Sequence, residues 1–262
     1  MQYLSYLQAC IYDVKCWSQH NYLKLNSEKT EVLQFVSKFR QSQQIDNVIL
    51  DETVVHTATD SVRDLGVQLD KHLAMNAHVN NVCKAASLAL YKIGTVRQYL
   101  SKEATERLVH AHVMSRIDYC NSVLYGLPDL QISKLQRIQN SAARLVVRAK
   151  KHEHVSPILQ ELHWLPVKAR IQYKILSLAY LSLRGQGPEY LHCLITVYRP
   201  ARNLRSQTKS LLVCPTFNTI SYGARSFVYA AATLWNNLPE HIKQSDTIAK
   251  FRTSLKTHLF LK

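Results

Sequence analysis

Six cations crowd into a short stretch of this sequence: Lys134, Arg137, Arg144, Arg148, Lys150 and Lys151. The first four are separated by 3, 7 and 4 residues, which on a helix places side chains on neighbouring rows. Leu135, Ile138, Ala142 and Leu145 then fall on the other side. Such a helix packs with one face and offers cations with the other, and the chemistry of that face is phosphate binding. A second cluster, Arg199, Arg202, Arg205 and Lys209, lies in an irregular stretch. Loop cations of this kind suit sugar–phosphate contacts, which position a strand without reading its sequence. Tyr173, Tyr180, Tyr190 and Tyr198 are interleaved with these cations. They fit stacking on unpaired bases and, at helical spacing, packing in a core or at its rim.

Other chemistries lack their residues. No G-x-x-x-x-G-K-[ST] or G-x-G-x-x-G cradle for phosphate occurs, and no G-x-S-x-G nucleophile elbow. His110/His112, His152/His154 and His192 beside Cys193 are close groups, but none has the matching second pair that a structural zinc site needs. They read as surface histidines, and no metal ligand set is assigned. The adjacent acids Asp51 and Glu52 read as hairpin-turn residues.

Net charge sharpens the reading. The chain has 262 residues and a formal net charge of +15. Residues 1–130 hold 13 basic and 13 acidic side chains, whereas residues 131–262 hold 20 and 5, so the whole excess lies in the second half. The implied partner is a polyanion: RNA or DNA first, an anionic membrane surface second, and third a basic surface with no ligand. The N-terminal residues lack the basic start and apolar centre of a secretion signal, and carry Asp13 and Lys15 instead. No apolar run of about 18 residues suggests a membrane span. Six scattered cysteines read as free thiols of a reducing compartment. The expected location is intracellular, nuclear or cytoplasmic, without membrane association.

These side chains must be held by packed elements, and at 47% apolar residues the chain can bury a sizeable core. Leu4, Leu7, Ile11 and Val14 predict a helix over residues 2–19. Residues 31–36 suit a strand, residues 48–50 and 53–56 a hairpin, and residues 63–69 another strand. From about residue 77 the period becomes helical. Helices are expected over 77–99, over 102–117 with Ser101 as N-cap, and over 130–147 after a turn at Gly126–Asp129, with Asp129 as a possible cap. Further helices run from Pro166 in the first turn to about 183, from 223 to 236 and from 245 to 260. The expected fold is α+β and predominantly α: a small N-terminal sheet followed by a helical bundle. The domains read as 1–72, 73–195 and 196–262.

Longer strings carry a family resemblance. Trp17–Phe35, WSQHNYLKLNSEKTEVLQF, resembles the W-…-N-x-L-x-L-N-x-x-K-T-E-x-[LM]-x-F palm segment of LINE-type (non-LTR) retrotransposon reverse transcriptases. SVRDLGVQLD (Ser61–Asp70) resembles their primer-grip segment, and HVNNVCKAASLALYKIGTVRQYLS (His78–Ser101) their first thumb helix. RIDYCNSVLYGL, KLQRIQNSAARLVVR, LHWLPVKARIQYKILSLAY and LWNNLPEHIKQSDTIAKFRTSLKTHLF follow in family order, so the likeness covers almost the whole chain.

The resemblance implies a palm remnant, a thumb-like bundle and a C-terminal region. It implies a role in RNA-directed DNA polymerisation, with a nucleic-acid duplex and a longer polymerase chain as partners. Such enzymes hold Mg2+ on paired palm carboxylates. Neither a Y-x-D-D box nor an adjacent Asp-Asp pair occurs here, and the resemblance places those motifs ahead of residue 1. The chain alone is therefore expected to carry no cofactor and no polymerase activity, and to bind RNA or DNA backbone without sequence preference. The alternative is a retained nucleic-acid-binding or protein-interaction module without enzymatic activity. Lys29 matches a palm lysine proposed to protonate the leaving pyrophosphate, and is catalytic only if the missing palm is supplied. Leu65, Gly66 and Val67 match the primer-grip turn, where glycine admits close backbone approach.

Overall fold

A computed structural model describes residues 2–37, 45, 47–50, 53–58, 60–200, 210–217, 219 and 222–261. The fold is α+β and predominantly α. The chain forms two compact units, residues 1–78 and 79–262, with the boundary in the first turn of a long helix.

The first unit begins with α1 (Gln2–His20), as the spacing of its apolar residues predicts. Two separate hairpins follow. Strands β1 (Asn47–Leu50) and β2 (Thr53–His56) pair antiparallel, with Val48 opposite Val55; both are buried. Strands β3 (Ser61–Asp64) and β4 (Val67–Asp70) form the second hairpin. The single strand expected over residues 63–69 is thus two strands around a turn at Leu65–Gly66. Both turn residues have positive φ, +43° and +89°, which a two-residue turn matching strand twist requires. The sequence signal for that turn is Asn-Gly; here leucine takes the first place. Nor do residues 31–36 form a strand: they contribute one parallel bridge, Val32 with Thr57. The expected turn at Asp51–Glu52 lies outside the described residues.

After β4, the Asp70 carboxylate accepts backbone N–H groups of His72, Ala74 and Met75 at 3.1, 2.9 and 2.6 Å. This side chain, with the Leu73 N–H donating to Asp70 O at 2.8 Å, shapes the turn into α2 (Asn76–Val96). His78, 5% exposed, accepts a long 3.4 Å bond on Nδ1 from the Gln68 N–H. Burial disfavours its imidazolium and lowers its pKa from the ordinary value.

Among the described residues of the second unit the regular elements are helices, with one isolated antiparallel bridge, Val197 with Leu212. A 3-10 turn at Arg97–Tyr99 ends α2, and Ser101 caps α3 (Lys102–Val109) by accepting the Ala104 N–H at 3.1 Å. The helix expected over 102–117 is interrupted by a π-helical turn, His110–Met114, before α4 (Ser115–Asp118). Then come α5 (Asp129–Val147), α6 (Val155–Glu161), α7 (Val167–Leu183), α8 (Glu189–Leu194), α9 (Phe227–Asn236), α10 (Glu240–Lys243) and α11 (Ile248–Phe260). Asp129 lies inside the first turn of α5 rather than capping it, and Pro166 precedes α7 rather than sitting in its first turn.

Helix α7 is central. Val167, Ile171, Ile175, Leu176, Ala179 and Tyr180 are buried, more than one face's worth, because α5, α9 and α11 surround it. Tyr180 stacks on Phe251 of α11 at 4.3 Å and donates its hydroxyl to Ser245 O at 2.6 Å. Burial of each such large side chain stabilises by about 2 kcal/mol.

Helices α2 and α5 run parallel. Lys134 Nζ donates to Asn80 Oδ1 at 2.9 Å near their starts. Near their ends Arg97 donates from Nε to Leu145 O at 2.8 Å, from Nη2 to Val146 O at 2.7 Å and from Nη1 to Leu100 O at 2.8 Å. Arg97 is 8% exposed. Its fork closes carbonyls that a helix end leaves without partners. Arg97→Met is expected to lower unfolding stability by about 3 kcal/mol in urea titrations, because buried carbonyls lose their donor. Arg97→Lys should recover less than half, since a point charge cannot span three acceptors.

The His78 environment has a pH signature. Below about pH 6.5 the unfolded chain takes up a proton that the buried ring refuses until its lowered pKa is reached. Stability is therefore full at high pH and is lost as pH falls through that window. Amide exchange in β3–β4, corrected for intrinsic rate, should accelerate from pH 7.5 to 5.5, and His78→Asn should remove that dependence.

Candidate nucleic-acid interface

Helix α5 turns its apolar side inward: Ile132, Leu135, Ala142, Ala143 and Val146 are buried, while Ile138 and Leu145 are half-buried at the margin. At 100° per residue, Lys134, Arg137 and Arg144 span about 80° on the opposite side. The amphipathic helix expected from the spacing therefore exists.

Its cations divide into two kinds. Lys134, half-buried, donates to Asn80, and Arg144 Nη2 donates to Glu153 O at 2.9 Å. Arg148 ends α5 in the left-handed conformation, φ +58°, and reaches Arg97 O and Gln98 O at 3.3 and 3.4 Å. These three brace α5 against α2 and against the loop that follows. The side chains of Arg137, Lys150 and Lys151 are exposed and have no hydrogen-bond or ion-pair partner among the described residues.

Helix α2 adds residues that sequence reading did not select. Lys84, Leu88, Tyr91 and Thr95 are exposed and fall within about 60° of one another. Leu88 is 55% exposed, Tyr91 71%, and Tyr99, just beyond the helix, 80%. Lys84 and the neighbouring Lys92 have no acceptor among the described residues. On both helices the side that meets the other lies between the buried and the exposed side, so the exposed faces are contiguous across the seam. The signal was in the sequence: tyrosine and lysine at three- and four-residue spacing, opposite the apolar stripe of α2.

Few carboxylates lie near this surface: the Glu153 carboxylate accepts the Lys150 main-chain N–H at 2.8 Å. Helix α2 has no acidic residue, and α5 has only Asp129, which pairs with Lys168 at 3.4 Å. Cations on two helices and in the loop after α5, with exposed tyrosines beside them, suit a phosphate backbone and its bases.

The other expected site residues are dispersed. Arg202, Arg205 and Lys209 lie outside the described residues. Tyr180 is in the core; Tyr190 and Tyr198 are exposed, at 67% and 41%. Lys29 closes a 3-10 turn, Ser27–Lys29, its N–H donating to Asn26 Oδ1 at 3.2 Å, and its side chain is exposed. Among the described residues there is no group of three or more His, Cys, Asp or Glu placed to hold a metal ion. All six cysteines are free. Among the described residues no helix is long and apolar enough to cross a membrane. Comparison with protein-family models, curated proteins and solved structures found no match.

Leu65, Gly66 and Val67 form the tip of the β3–β4 hairpin. Val67 is buried, while Leu65 is 83% exposed and holds φ +43°. A branched side chain in that conformation is strained without burying its apolar surface. Leu65→Asn should stabilise the hairpin by about 0.5–1 kcal/mol, read as slower amide exchange across β3–β4.

Proposed function

We propose that residues 79–262 bind the sugar–phosphate backbone of RNA or DNA across the α2–α5 face, without reading sequence. The observation that carries this reading is the set of four exposed cations, Lys84, Arg137, Lys150 and Lys151, whose side chains have no hydrogen-bond or ion-pair partner among the described residues. Cations that fold the chain are bonded inward; these face solvent. Tyr91 and Tyr99 add stacking platforms for unpaired bases.

The reading agrees with the resemblance to the thumb of LINE-type reverse transcriptases, whose role is to hold template and primer. In that family the chain corresponds to the part after the catalytic carboxylates. The activity proposed for the chain by itself is binding, not polymerisation. Lys29 would protonate a leaving pyrophosphate only where a metal-holding palm is present.

Salt titration tests the face. Neutralising four phosphates gives a slope of log affinity against log salt of about −2.8 to −3.6. Replacing Arg137, Lys150 and Lys151 together by Gln should flatten that slope by about 2 to 3, equally for RNA and DNA, while leaving the urea unfolding midpoint in place. A slope unchanged by the triple substitution would remove this face from the binding site. Magnesium-dependent primer extension by the purified chain would overturn the assignment of binding alone.

A further inference from the structure

A second site lies away from that face, in a cleft of about 630 Å3 between the end of α7, the bridged segments around Val197 and Leu212, and the turn from α9 into α10. Its chemistry is set by Tyr180, Arg184, Tyr198, Arg199, Trp235 and Lys243. We infer that this cleft binds a nucleoside monophosphate unit, with the phosphate at Lys243 and Arg184 and the base on the exposed ring of Tyr198. This does not rest on the reading of the α2–α5 face.

Lys243 carries the argument. Its side chain is 2% exposed, yet its ammonium has one acceptor among the described residues, Glu240 Oε2 at 3.5 Å. An ammonium has three donors, and a bond of that length is weak. A charge so far removed from water ordinarily has full pairing. The Glu240 carboxylate is itself shared, accepting the Ser210 N–H at 3.4 Å and Gln244 Nε2 at 3.3 Å. Lys243 therefore brings unspent donor capacity to the cleft wall, which a phosphate would use.

The other walls fit such a ligand. Arg184 is braced by one bond, Nη2 to Ser245 O at 3.0 Å, and its guanidinium lies 5.5 Å from the centre of the Tyr180 ring. Its remaining N–H groups are unspent among the described residues, and Arg199 adds an exposed cation. Trp235 is fixed by its indole N–H donating to Ser210 O at 2.7 Å, and Tyr198 by its backbone N–H donating to Leu211 O at 2.9 Å. Tyr198 stays 41% exposed, a flat apolar surface beside three cations. The volume falls within the range of small-ligand sites, about 300–1,000 Å3, and exceeds what an inorganic anion would fill. A flat ring joined to a phosphate satisfies both walls, as a free nucleotide or as one nucleotide of a single strand.

Equilibrium dialysis of the full chain against AMP, inorganic phosphate and a five-nucleotide single-stranded RNA tests the site. AMP should bind saturably and phosphate at least tenfold more weakly. Tighter binding of the pentamer identifies a strand as the source, and equal binding a free nucleotide. Lys243→Met, which keeps the volume of a buried stem, should weaken AMP binding tenfold or more. Tyr198→Ala, at an exposed position, should weaken it about fivefold or more. The triple Gln variant of the α2–α5 face should bind AMP as the parent does. Absence of saturable AMP binding, binding of phosphate as tight as AMP, or affinity unchanged in both single variants would overturn the inference.

Discussion

Two parallel helices end at the same place, and the structure of residues 79–262 depends on how that end is neutralised. Helices α2 and α5 bring their C-terminal carbonyls together, so two partial negative charges and several unpaired acceptors converge. Arg97 and Arg148 answer this reciprocally. Arg97, at the end of α2, donates to carbonyls of α5; Arg148, at the end of α5, donates to carbonyls after α2. Neither bond set includes a carboxylate. Desolvation first, then the neighbouring Arg148 charge, lowers the Arg97 pKa from its ordinary value. The carbonyl dipoles make the arrangement tenable. Antiparallel helices would not need it.

That constraint divides the cations by type. Arg97, Arg116, Arg144, Arg148, Arg170, Arg184 and Arg225 all donate to main-chain carbonyls. Arg170 also pairs with Asp118 at 2.5 Å, joining α4 to α7. A planar fork suits carbonyls at the ends of helices; a lysine ammonium, strongly hydrated on a flexible stem, does not. Lys84, Lys92, Lys150 and Lys151 remain in solvent, as do Arg137 and Arg199. The +15 of the sequence thus overstates the charge offered to a ligand. Part of it is bonded to main-chain carbonyls within the fold.

This is why the sequence revealed so much of the fold and less of the site. Helical period, the Ser101 cap and the Val48–Val55 hairpin are local signals, and local signals survive in one dimension. The Leu65–Gly66 turn was hidden because leucine occupies a place whose usual marker is asparagine. The π-helical turn at His110–Met114 leaves no mark on the apolar pattern. Arg144 and Arg148 were readable as cations on a helix, but not as braces, because their acceptors are carbonyls that every residue carries. The face of α2 was passed over for a related reason: Lys84, Tyr91 and Lys92 are unremarkable until Asn80 and Arg97 bring that helix beside α5.

The two units also differ in what they can hold in place. In residues 1–78 the strands are four residues long and belong to two unjoined hairpins, a size that is marginal alone. Helix α1 exposes Tyr6, Tyr12 and Trp17 at 66, 65 and 62%. In residues 79–262 the Tyr180–Phe251 stack, Trp235 and the buried face of α7 form a continuous core. A phosphate site needs donors held to within a fraction of an ångström, and such precision comes from packed helices rather than short hairpins. Both surfaces argued for here draw on that core. Helix α5 packs on α7, and the cleft is walled by Tyr180 and Trp235, which are themselves core residues. Binding capacity therefore concentrates in the half of the chain that carries the excess charge, because the same helices that bury the core fix the cations on their outer sides.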